Sequence, residues 1–290
     1  MTTKFPDRGT DLPKVDGSAT SIFVGIDVAC RKRKRLPVCF AASLGGRLEP
    51  IKARSDIVAK LPFGLGNLEI LQEHPFRSAA AAVAGAFASV RNHAWKIVSI
   101  AIDAPAAPPC VDERTAEGDL RSLGLASFQT PRAEDWGNIV QNCQAHSRAG
   151  GKLSRMPHAN KIWMLYGFEI FRALRATFSC EIIEVYPYAI VRALLDECPH
   201  KSTPAGYRRQ LETMGDATHW VPDQLERALR NSVPGSKDDR LDAFMAAWVA
   251  SLPRERRRAH GNKHDPDNAI WVPRQEGLVE EVRLRGQSGH

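Results

Sequence analysis

The apolar part of the chain begins with three strand-like segments that have no helical segment between them. The first, SIFVGIDVA (residues 21–29), is an apolar run with β-branched residues, which is typical of a buried strand. The second and third, LPVCFAASL (36–44) and RLEPIKA (47–53), flank Gly45–Gly46 and predict a β-hairpin. Because a short turn joins antiparallel neighbours, these segments predict that a sheet starts here.

The rest of the chain alternates between helix-like and strand-like segments. Strands are predicted at 95–109 and 180–187, the latter ending near Glu184, and a linker is expected before the last helix. Hairpin strands followed by crossover strands favour an α/β fold, with a mixed five-stranded sheet and helices on both faces. The predicted helices are 78–90, 160–178, 188–197, 200–214 and one beginning at Ser236.

The domain organisation follows from where the apolar periodicity begins and ends. Residues 1–20 are expected to be a flexible polar leader, and residues 276–290 a polar tail. We expect one domain over residues 21–275, with an insertion at about 110–180 that forms a helical cover. No internal repeat is visible in the sequence.

Composition excludes several classes of protein. No apolar run reaches the roughly 18–20 residues that a membrane span needs, and the N-terminus lacks the apolar core of a secretory signal. The six cysteines are scattered without a CxxC pair, which favours reduced thiols in a cytoplasmic protein over disulfides or a zinc site. The net charge of +7 permits a polyanionic partner, although the basic runs at 31–35 and 254–258 are more typical of solvated surface.

Two acids lie where predicted strands end. Asp27 interrupts the first strand near its end, and Asp103 terminates the first strand after the hairpin. If these strands are neighbours, the order of the sheet reverses between them, and open α/β sheets bind ligands at such a crevice. Carboxylates that converge repel one another, so a cluster of them indicates a site for divalent cations.

A third group of acids opens the last predicted helix, SKDDRLDAFMAAW (236–248). Ser236 and Asp239 have the spacing of a capping box, and acids in a first turn also suit the helix dipole. Asp242 lies past the first turn and beside the apolar stripe of the helix. A carboxylate in that position is costly to bury unless a cation or hydrogen-bond donors meet it.

The order of these motifs resembles the RNase H-like nuclease superfamily, and most closely the DUF429 group of predicted RNase H-like nucleases. The resemblance spans about residues 22–273. The segments that carry it are VGIDVA (24–29), AIDAP (101–105), EVYPYA (184–189), KSTPAGYRRQL (201–211), DDRLDAFMAAW (238–248) and the closing AIWVPR (269–274).

The resemblance implies a two-metal nuclease that hydrolyses phosphodiester bonds of RNA or DNA with Mg²⁺ or Mn²⁺. Asp27 would be the central metal ligand and Asp103 the second, while Asp239 and Asp242 would supply helix carboxylates. Glu184 matches the motif of the group and is carried over as a candidate catalytic residue.

Some basic residues lie in or near these motifs. His146 and His158 fall in the expected helical cover, where a lone histidine is more often structural. Lys201, Arg208 and Arg209 could meet phosphates, but basic residues on an exposed helix are usually solvated. The chain shows no basic helix with interleaved aromatics of the kind that grips a nucleic-acid backbone.

Two alternatives to a nuclease stay open. One is a catalytically inactive RNase H-like module that binds nucleic acid or protein. The other is an ATP-dependent enzyme of the actin or sugar-kinase type, which would need a glycine-rich phosphate loop where this chain has VACRKRKR (28–35). The oligomeric state cannot be inferred from these patterns.

Overall fold

A seven-stranded mixed sheet runs through the part of the chain that the computed structural model describes, namely residues 19–28, 35–63, 66–90, 94–125 and 129–274. The strands are ordered β3-β2-β1-β4-β5-β7-β6. The first three form an antiparallel meander, whereas β4, β5 and β7 run parallel to β1. The strands are β1 (Thr20–Asp27), β2 (Val38–Leu44), β3 (Arg47–Ile51), β4 (Trp95–Asp103), β5 (Glu181–Val185), β6 (Arg257–Gly261) and β7 (Ala269–Pro273).

The α/β class and the five predicted strands are confirmed, but the expected strand number was wrong. The two added strands, β6 and β7, form an antiparallel pair, and β7 joins the sheet beside β5. β7 is a five-residue apolar run that ends in a proline, which is a recognisable strand pattern. β6 has the sequence RRAHG, which gives no apolar alternation, so its pairing with β7 decides its conformation.

Helices cover both faces of this sheet. The strand side chains alternate between two apolar clusters, one beneath each face. Two helices, at Arg77–Ala88 and Ile162–Thr177, pack on each other in the first cluster, and the helix Lys237–Ser251 packs on β1, β4 and β2 in the second. In chain order the α-helices are α1 (Ser55–Lys60), α2 (Arg77–Ala88), α3 (Thr115–Ser122), α4 (Trp136–Arg148), α5 (Ile162–Thr177), α6 (Pro187–Leu194), α7 (Pro204–Thr218), α8 (Pro222–Ser232) and α9 (Lys237–Ser251).

Three expectations about the chain between the motifs need correction. The expected linker before α9 contains α8, whose Leu225 and Leu229 are buried one turn apart. The segment 110–180 is more than a cover, because α5 buries one side in the core against α2. The basic run at 254–258 is not wholly solvated, since Arg257 is buried and pairs with Glu181 at 2.7 Å.

Other expectations concern the ends of the chain, its cysteines and the membrane. The predicted leader and tail lie almost entirely outside the described residues. The five described cysteines are free, and Cys30 is outside the described residues. Among the described helices, none combines the length and apolar character that a bilayer crossing requires.

A glycine in β1 lets α9 lie directly on the sheet. A Cβ placed on Gly25 would come within 2.0 Å of the Ala243 carbonyl oxygen and 2.3 Å of the Ala247 amide nitrogen. Real Cβ atoms do not approach backbone so closely, so any side chain at this position would push α9 away. Gly25 lies two residues before Asp27, and the close contact therefore sets the height of α9 above the end of the strand.

We expect Gly25→Ala to destabilise the protein by about 1–3 kcal/mol or more, because the contacted atoms are backbone and cannot rotate away. Urea unfolding of the variant measures the change. Gly85→Ala is the matched control, since a Cβ on this glycine of α2 meets nothing within 4 Å. Equal stability of Gly25→Ala and the parent would show that α9 is not held at this height.

Candidate metal centre

The ends of β1 and β4 place two carboxylates side by side. β1 and β4 run parallel, and Asp27 is paired with Asp103 in their register. Two residues earlier, Gly25 is paired with Ala101 beneath α9. Because strand side chains alternate, Asp27 and Asp103 point to the same face as Gly25 and Ala101, the face that α9 covers. The hairpin lies on one side of this strand pair and β5 on the other, so the acids lie where the strand order reverses.

The first turns of α9 bring a third carboxylate to the same place. The Asp242 side chain is buried, with the residue only 2% exposed. Carboxylate oxygens of Asp27, Asp103 and Asp242 all lie within 4.8 Å of one another. The predicted convergence of these three residues is therefore confirmed. Asp27 and Asp242 are buried, whereas Asp103 is half-buried and leaves the cluster open to solvent on one side.

Burial and mutual repulsion raise the pKa values of these three carboxyl groups. Burial, followed by the charges of Asp242 and Asp103, raises the pKa of Asp27 well above its usual value. Burial and the charge of Asp242 raise the pKa of Asp103 to about 8. Burial also raises the pKa of Asp242, although Lys201 opposes the shift. A cluster of this kind gains strongly from a cation that neutralises it.

One cation is already supplied by the chain. The Lys201 ammonium donates a hydrogen bond to Asp242 Oδ2 and forms an ion pair with it. Burial lowers the pKa of Lys201, but the charges of Asp242 and Asp103 outweigh this and raise it above its usual value. The Lys201 side chain is still 38% exposed, so its ammonium lies at the boundary between the acids and solvent.

The turn before α7 fixes the position of Lys201. Thr203 caps this helix by accepting a hydrogen bond from the Gly206 amide at 3.0 Å, and Pro204 occupies the first turn. A Cβ on Gly206 would lie 2.1 Å from the His200 carbonyl oxygen, so the turn requires glycine there. The segment KSTPAG (201–206) thus forms a tight turn, and this turn holds its first residue, Lys201, beside the carboxylates.

Tyr186 borders the same cluster just beyond the end of β5. Burial and the charge of Asp103 raise the pKa of this phenol to about 12, with a smaller contribution from Asp242. Its ring lies edge-on to that of Tyr188, with centroids 6.2 Å apart. The protonated Tyr186 hydroxyl is therefore a polar group beside Asp103 at neutral pH.

Asp239 has a different primary contact from its neighbour Asp242. Its Oδ2 accepts a hydrogen bond from the Ser236 amide at 3.1 Å, which completes the predicted capping box. Asp239 is not in the group of three converging carboxylates. Its charge nevertheless helps to raise the pKa of both Asp27 and Asp242.

Glu184 lies on the strand next to Asp103 but points to the other face of the sheet. It is paired with Ile102, one residue before Asp103, and alternate side chains project to opposite faces. The Glu184 carboxylate accepts two hydrogen bonds from Arg114, at 2.6 and 2.8 Å, and one from the Ala106 amide at 2.8 Å. The structure thus places this candidate in a buried ion pair rather than in the carboxylate cluster.

Arg114 makes further contacts besides those with Glu184, and these extend the ion pair into a buried network. It also lies 3.4 Å from Glu117, whose carboxylate accepts hydrogen bonds from the amide and hydroxyl of Thr130. A further bond runs from Arg114 to the carbonyl oxygen of Asp267 at 2.9 Å. These contacts join the segment that follows Asp103 to β5 and to the loop before β7. We name Glu184, Arg114 and Glu117 the buried clamp.

The remaining basic candidates lie elsewhere or have other partners. His146 contacts the Lys152 carbonyl oxygen at 3.1 Å, and His158 is exposed. Arg208 is half-exposed on α7 and pairs with Glu212 and Asp223. Arg209 lies on the same exposed side of α7. No histidine belongs to the converging group within the described residues.

Three residues in or near the site carried only weak signals in the sequence. Lys201 opens the segment KSTPAG, but nothing in the spacing shows that its partner lies 41 residues later in α9. Arg114 stands in the polar stretch DERTAEG, where an arginine is normally expected at the surface. Tyr186 was part of the EVYPYA motif but had no assigned role.

The cluster has the chemistry that a divalent metal requires. Carboxylate oxygens are the ligands that Mg²⁺ and Mn²⁺ prefer, and oxygens bound to one cation at about 2.1 Å lie at most ~4.2 Å apart. One oxygen from each of the three acids lies within 4.8 Å of the others, a bound that is only slightly above this limit. Asp242 Oδ1 is buried and has no hydrogen-bond partner within the described segments, so one ligand atom is left without a donor there.

Comparison with known proteins identifies one family. The family model described as "Protein of unknown function (DUF429)" matches residues 25–265. That range contains Asp27, Asp103, Lys201 and Asp242. No curated protein and no solved structure matches the chain.

Proposed function

This chain belongs to the DUF429 family, and we propose that it is a divalent-metal-dependent nuclease with an RNase H-like site. The observation that carries the proposal is the convergence of Asp27, Asp103 and Asp242 at the ends of two strands and in the first turns of α9. Carboxylates that converge in a largely buried place are costly unless cations neutralise them, and Asp242 Oδ1 has no hydrogen-bond donor among the described residues. The substrate would be a phosphodiester of RNA or DNA.

Asp27, Asp103 and Asp242 would hold Mg²⁺ or Mn²⁺. When bound, such an ion activates water and stabilises the charge that develops on phosphate oxygens. Asp27 and Asp242 are buried and supply fixed ligand atoms, whereas Asp103 is half-buried and faces the open side. Substrate would therefore approach past Asp103.

Two neighbours of the acids would act on the substrate rather than on the metal. The Lys201 ammonium is half-exposed beside Asp242, so it can turn to a phosphate oxygen and offset its negative charge. The Tyr186 hydroxyl keeps its proton at neutral pH and can donate a hydrogen bond near Asp103. Both residues would orient the phosphodiester at the mouth of the cluster.

A cleavage assay with the full chain tests the proposal. End-labelled single-stranded and duplex RNA and DNA are incubated with Mn²⁺, with Mg²⁺ or with a chelator. We expect metal-dependent cleavage of at least one substrate, and at least about a 100-fold loss in Asp27→Asn, since that change removes a buried ligand. The Asp27→Asn variant must retain the parent's circular dichroism spectrum.

Two other outcomes would contradict the proposal. Cleavage that persists in the chelator or in Asp27→Asn would show that the reaction does not depend on this cluster. Metal binding without cleavage of any of the four substrates would favour a binding module over a nuclease.

A further inference from the structure

A second polar site lies at the edge of the sheet opposite the β2–β3 hairpin. It is a cleft of about 550 Å³ between the end of α3, the outer side of α6 and the strand β6. A cleft of this size is in the range of small-ligand sites, roughly 300–1,000 Å³. β5 separates β4 from β7, which puts roughly 10 Å between the strand that carries Asp103 and the near side of this cleft. The carboxylate cluster does not contribute to its lining.

The charge of the cleft is strongly unbalanced. Arg192, Arg258 and Arg274 line it, and Asp196 is the one carboxylate among the lining residues. Three positive charges and one negative charge leave a net charge of +2. None of the three guanidinium groups forms an ion pair within the described part of the chain. The arginines of the sheet interior behave differently, since Arg114 and Arg257 both have carboxylate partners.

One arginine of the lining has an atom without a hydrogen-bond partner in the part of the chain that the structure describes. Arg192 Nε is buried and makes no hydrogen bond within the described residues. The Nε atoms of Arg114 and Arg257 also have no hydrogen-bond partner within the described residues, so the charge of the cleft, and not this atom, distinguishes it. What distinguishes the cleft is therefore its excess positive charge, carried by three guanidinium groups that form no ion pair within the described residues.

The remaining lining gives the cleft an uncharged polar group and an apolar wall. His260 is only 6% exposed, and its Nε2 lies 3.5 Å from Arg258 Nη2. Burial and the charge of Arg258 lower the pKa of this imidazole, so it is neutral at neutral pH. Leu123 and Leu125, which follow α3, supply an apolar part of the lining.

We propose that this cleft binds a phosphate monoester whose attached organic group packs against Leu123 and Leu125. Guanidinium groups bind phosphate oxygens through paired hydrogen bonds, which lysine cannot reproduce. The net charge of +2 matches a phosphate monoester, which carries about −1.5 to −2 at neutral pH. Such a group is present in a free nucleotide and at the phosphorylated end of an oligonucleotide, and both sources share this chemistry.

Calorimetric titration of the full chain in a chelator tests the assignment without involving the metal centre. The probes are adenosine 5′-monophosphate, adenosine, and one short oligonucleotide with and without a 5′-phosphate. We expect the monophosphate to bind and adenosine to show no binding. Tighter binding of the mononucleotide would identify a free nucleotide as the ligand, and tighter binding of the 5′-phosphorylated oligonucleotide would identify a strand end.

Paired variants locate the binding site. Arg192→Gln/Arg258→Gln is expected to weaken binding of the monophosphate at least about tenfold, since each substitution removes a charge-assisted hydrogen bond. Arg227→Gln removes the same charge from an exposed position on α8 and is expected to leave the affinity unchanged. Parent-like affinity in the double variant, or equal binding of adenosine and its monophosphate, would overturn the proposal.

A measurement on the parent protein covers the case in which the double variant does not fold. Phenylglyoxal modifies accessible arginines, and mass spectrometry reads each site separately. We expect the monophosphate to protect Arg192 and Arg258 but not Arg227. An unchanged modification rate at Arg192 and Arg258 would overturn the proposal, whether or not the chain proves to be a nuclease.

Discussion

Replacing Asp242 with asparagine should abolish the stabilisation of this protein by Mn²⁺ or Mg²⁺ while leaving its fold intact. In the parent, a metal at about 100 times its Kd adds about 2.7 kcal/mol to the free energy of unfolding. At roughly 2 °C per kcal/mol for a chain of this size, this is a rise in Tm of about 5 °C. The asparagine side chain keeps the shape of the aspartate that it replaces but offers the metal no charge. We expect the rise to vanish and hydrolysis to be lost with it.

The metal-free stability of the same variant distinguishes a metal ligand from a structural acid. Burial and neighbouring acids raise the pKa of Asp242, so removing its charge relieves repulsion within the cluster. We therefore expect Asp242→Asn without metal to be as stable as the parent or more stable. Asp216→Asn, an exposed acid on α7, is the matched control and should keep the full rise in Tm. A full metal-induced rise in Asp242→Asn would show that the cluster is not where metal binds.

The position of the carboxylate cluster could be predicted because it depends on which strands are neighbours and on which face of the sheet alternate side chains point to. Asp27 and Asp103 both end apolar runs, and one pairing of those strands makes them neighbours. Asp242 could be added to the predicted cluster because it interrupts the apolar side of a helix, where an unpaired carboxylate is costly to bury. These signals are local in the sequence, and the sheet then brings them together.

Glu184 shows where the same reasoning fails. The sequence places Glu184 near a strand end, as it does Asp103. Which face of the sheet its side chain points to depends on the register between β4 and β5, and the sequence does not reveal that register. The register pairs Glu184 with Ile102, which turns its side chain away from the metal centre. Its partner Arg114 lies 70 residues away in the chain, so the buried ion pair depends on tertiary structure alone.

The parts of the fold that were missed differ in their local patterns. β6 is an edge strand of mostly polar residues, and it exists because β7 offers it hydrogen bonds. α8 has only two buried leucines, and its other residues are largely polar. In β6 tertiary contacts, rather than local propensity, determine the structure, whereas Pro222 in the first turn and the two leucines one turn apart are local helix signals in α8.

Removing the arginine of the buried clamp should be among the most destabilising single changes in the described chain. The side chains of Arg114 and Glu184 are only 2% and 4% exposed. Arg114→Met would leave the carboxylates of Glu184 and Glu117 buried without their shared cation. Breaking a buried ion pair from one side costs about 3–5 kcal/mol, which is a large part of a total stability of about 5–15 kcal/mol. Urea unfolding should show this loss.

Two comparisons isolate the cause of that loss. Arg257→Met also removes a buried arginine, but its partner Glu181 is 38% exposed and can be solvated, so we expect a loss below about 2 kcal/mol. In Arg114→Met/Glu184→Gln the stranded charge of Glu184 is removed, and the new amide oxygen can still accept a hydrogen bond from the Ala106 amide. We expect this double variant to be more stable than Arg114→Met by about 0.5–3 kcal/mol. A double variant less stable than Arg114→Met would show that packing, and not stranded charge, dominates.

Glu184→Gln alone then decides between the two roles open to Glu184, metal ligand and structural clamp. As a ligand, Glu184 would be needed for metal binding, and the variant would lose the metal-induced rise in Tm together with activity. In the structure its oxygens are occupied by Arg114 and the Ala106 amide. We therefore expect Glu184→Gln to lower stability, because Arg114 loses a charged partner, but to keep the metal-induced rise that Asp242→Asn loses. The clamp would then act by holding the segment that follows Asp103, three residues before Ala106, so that Asp103 remains aligned with Asp27.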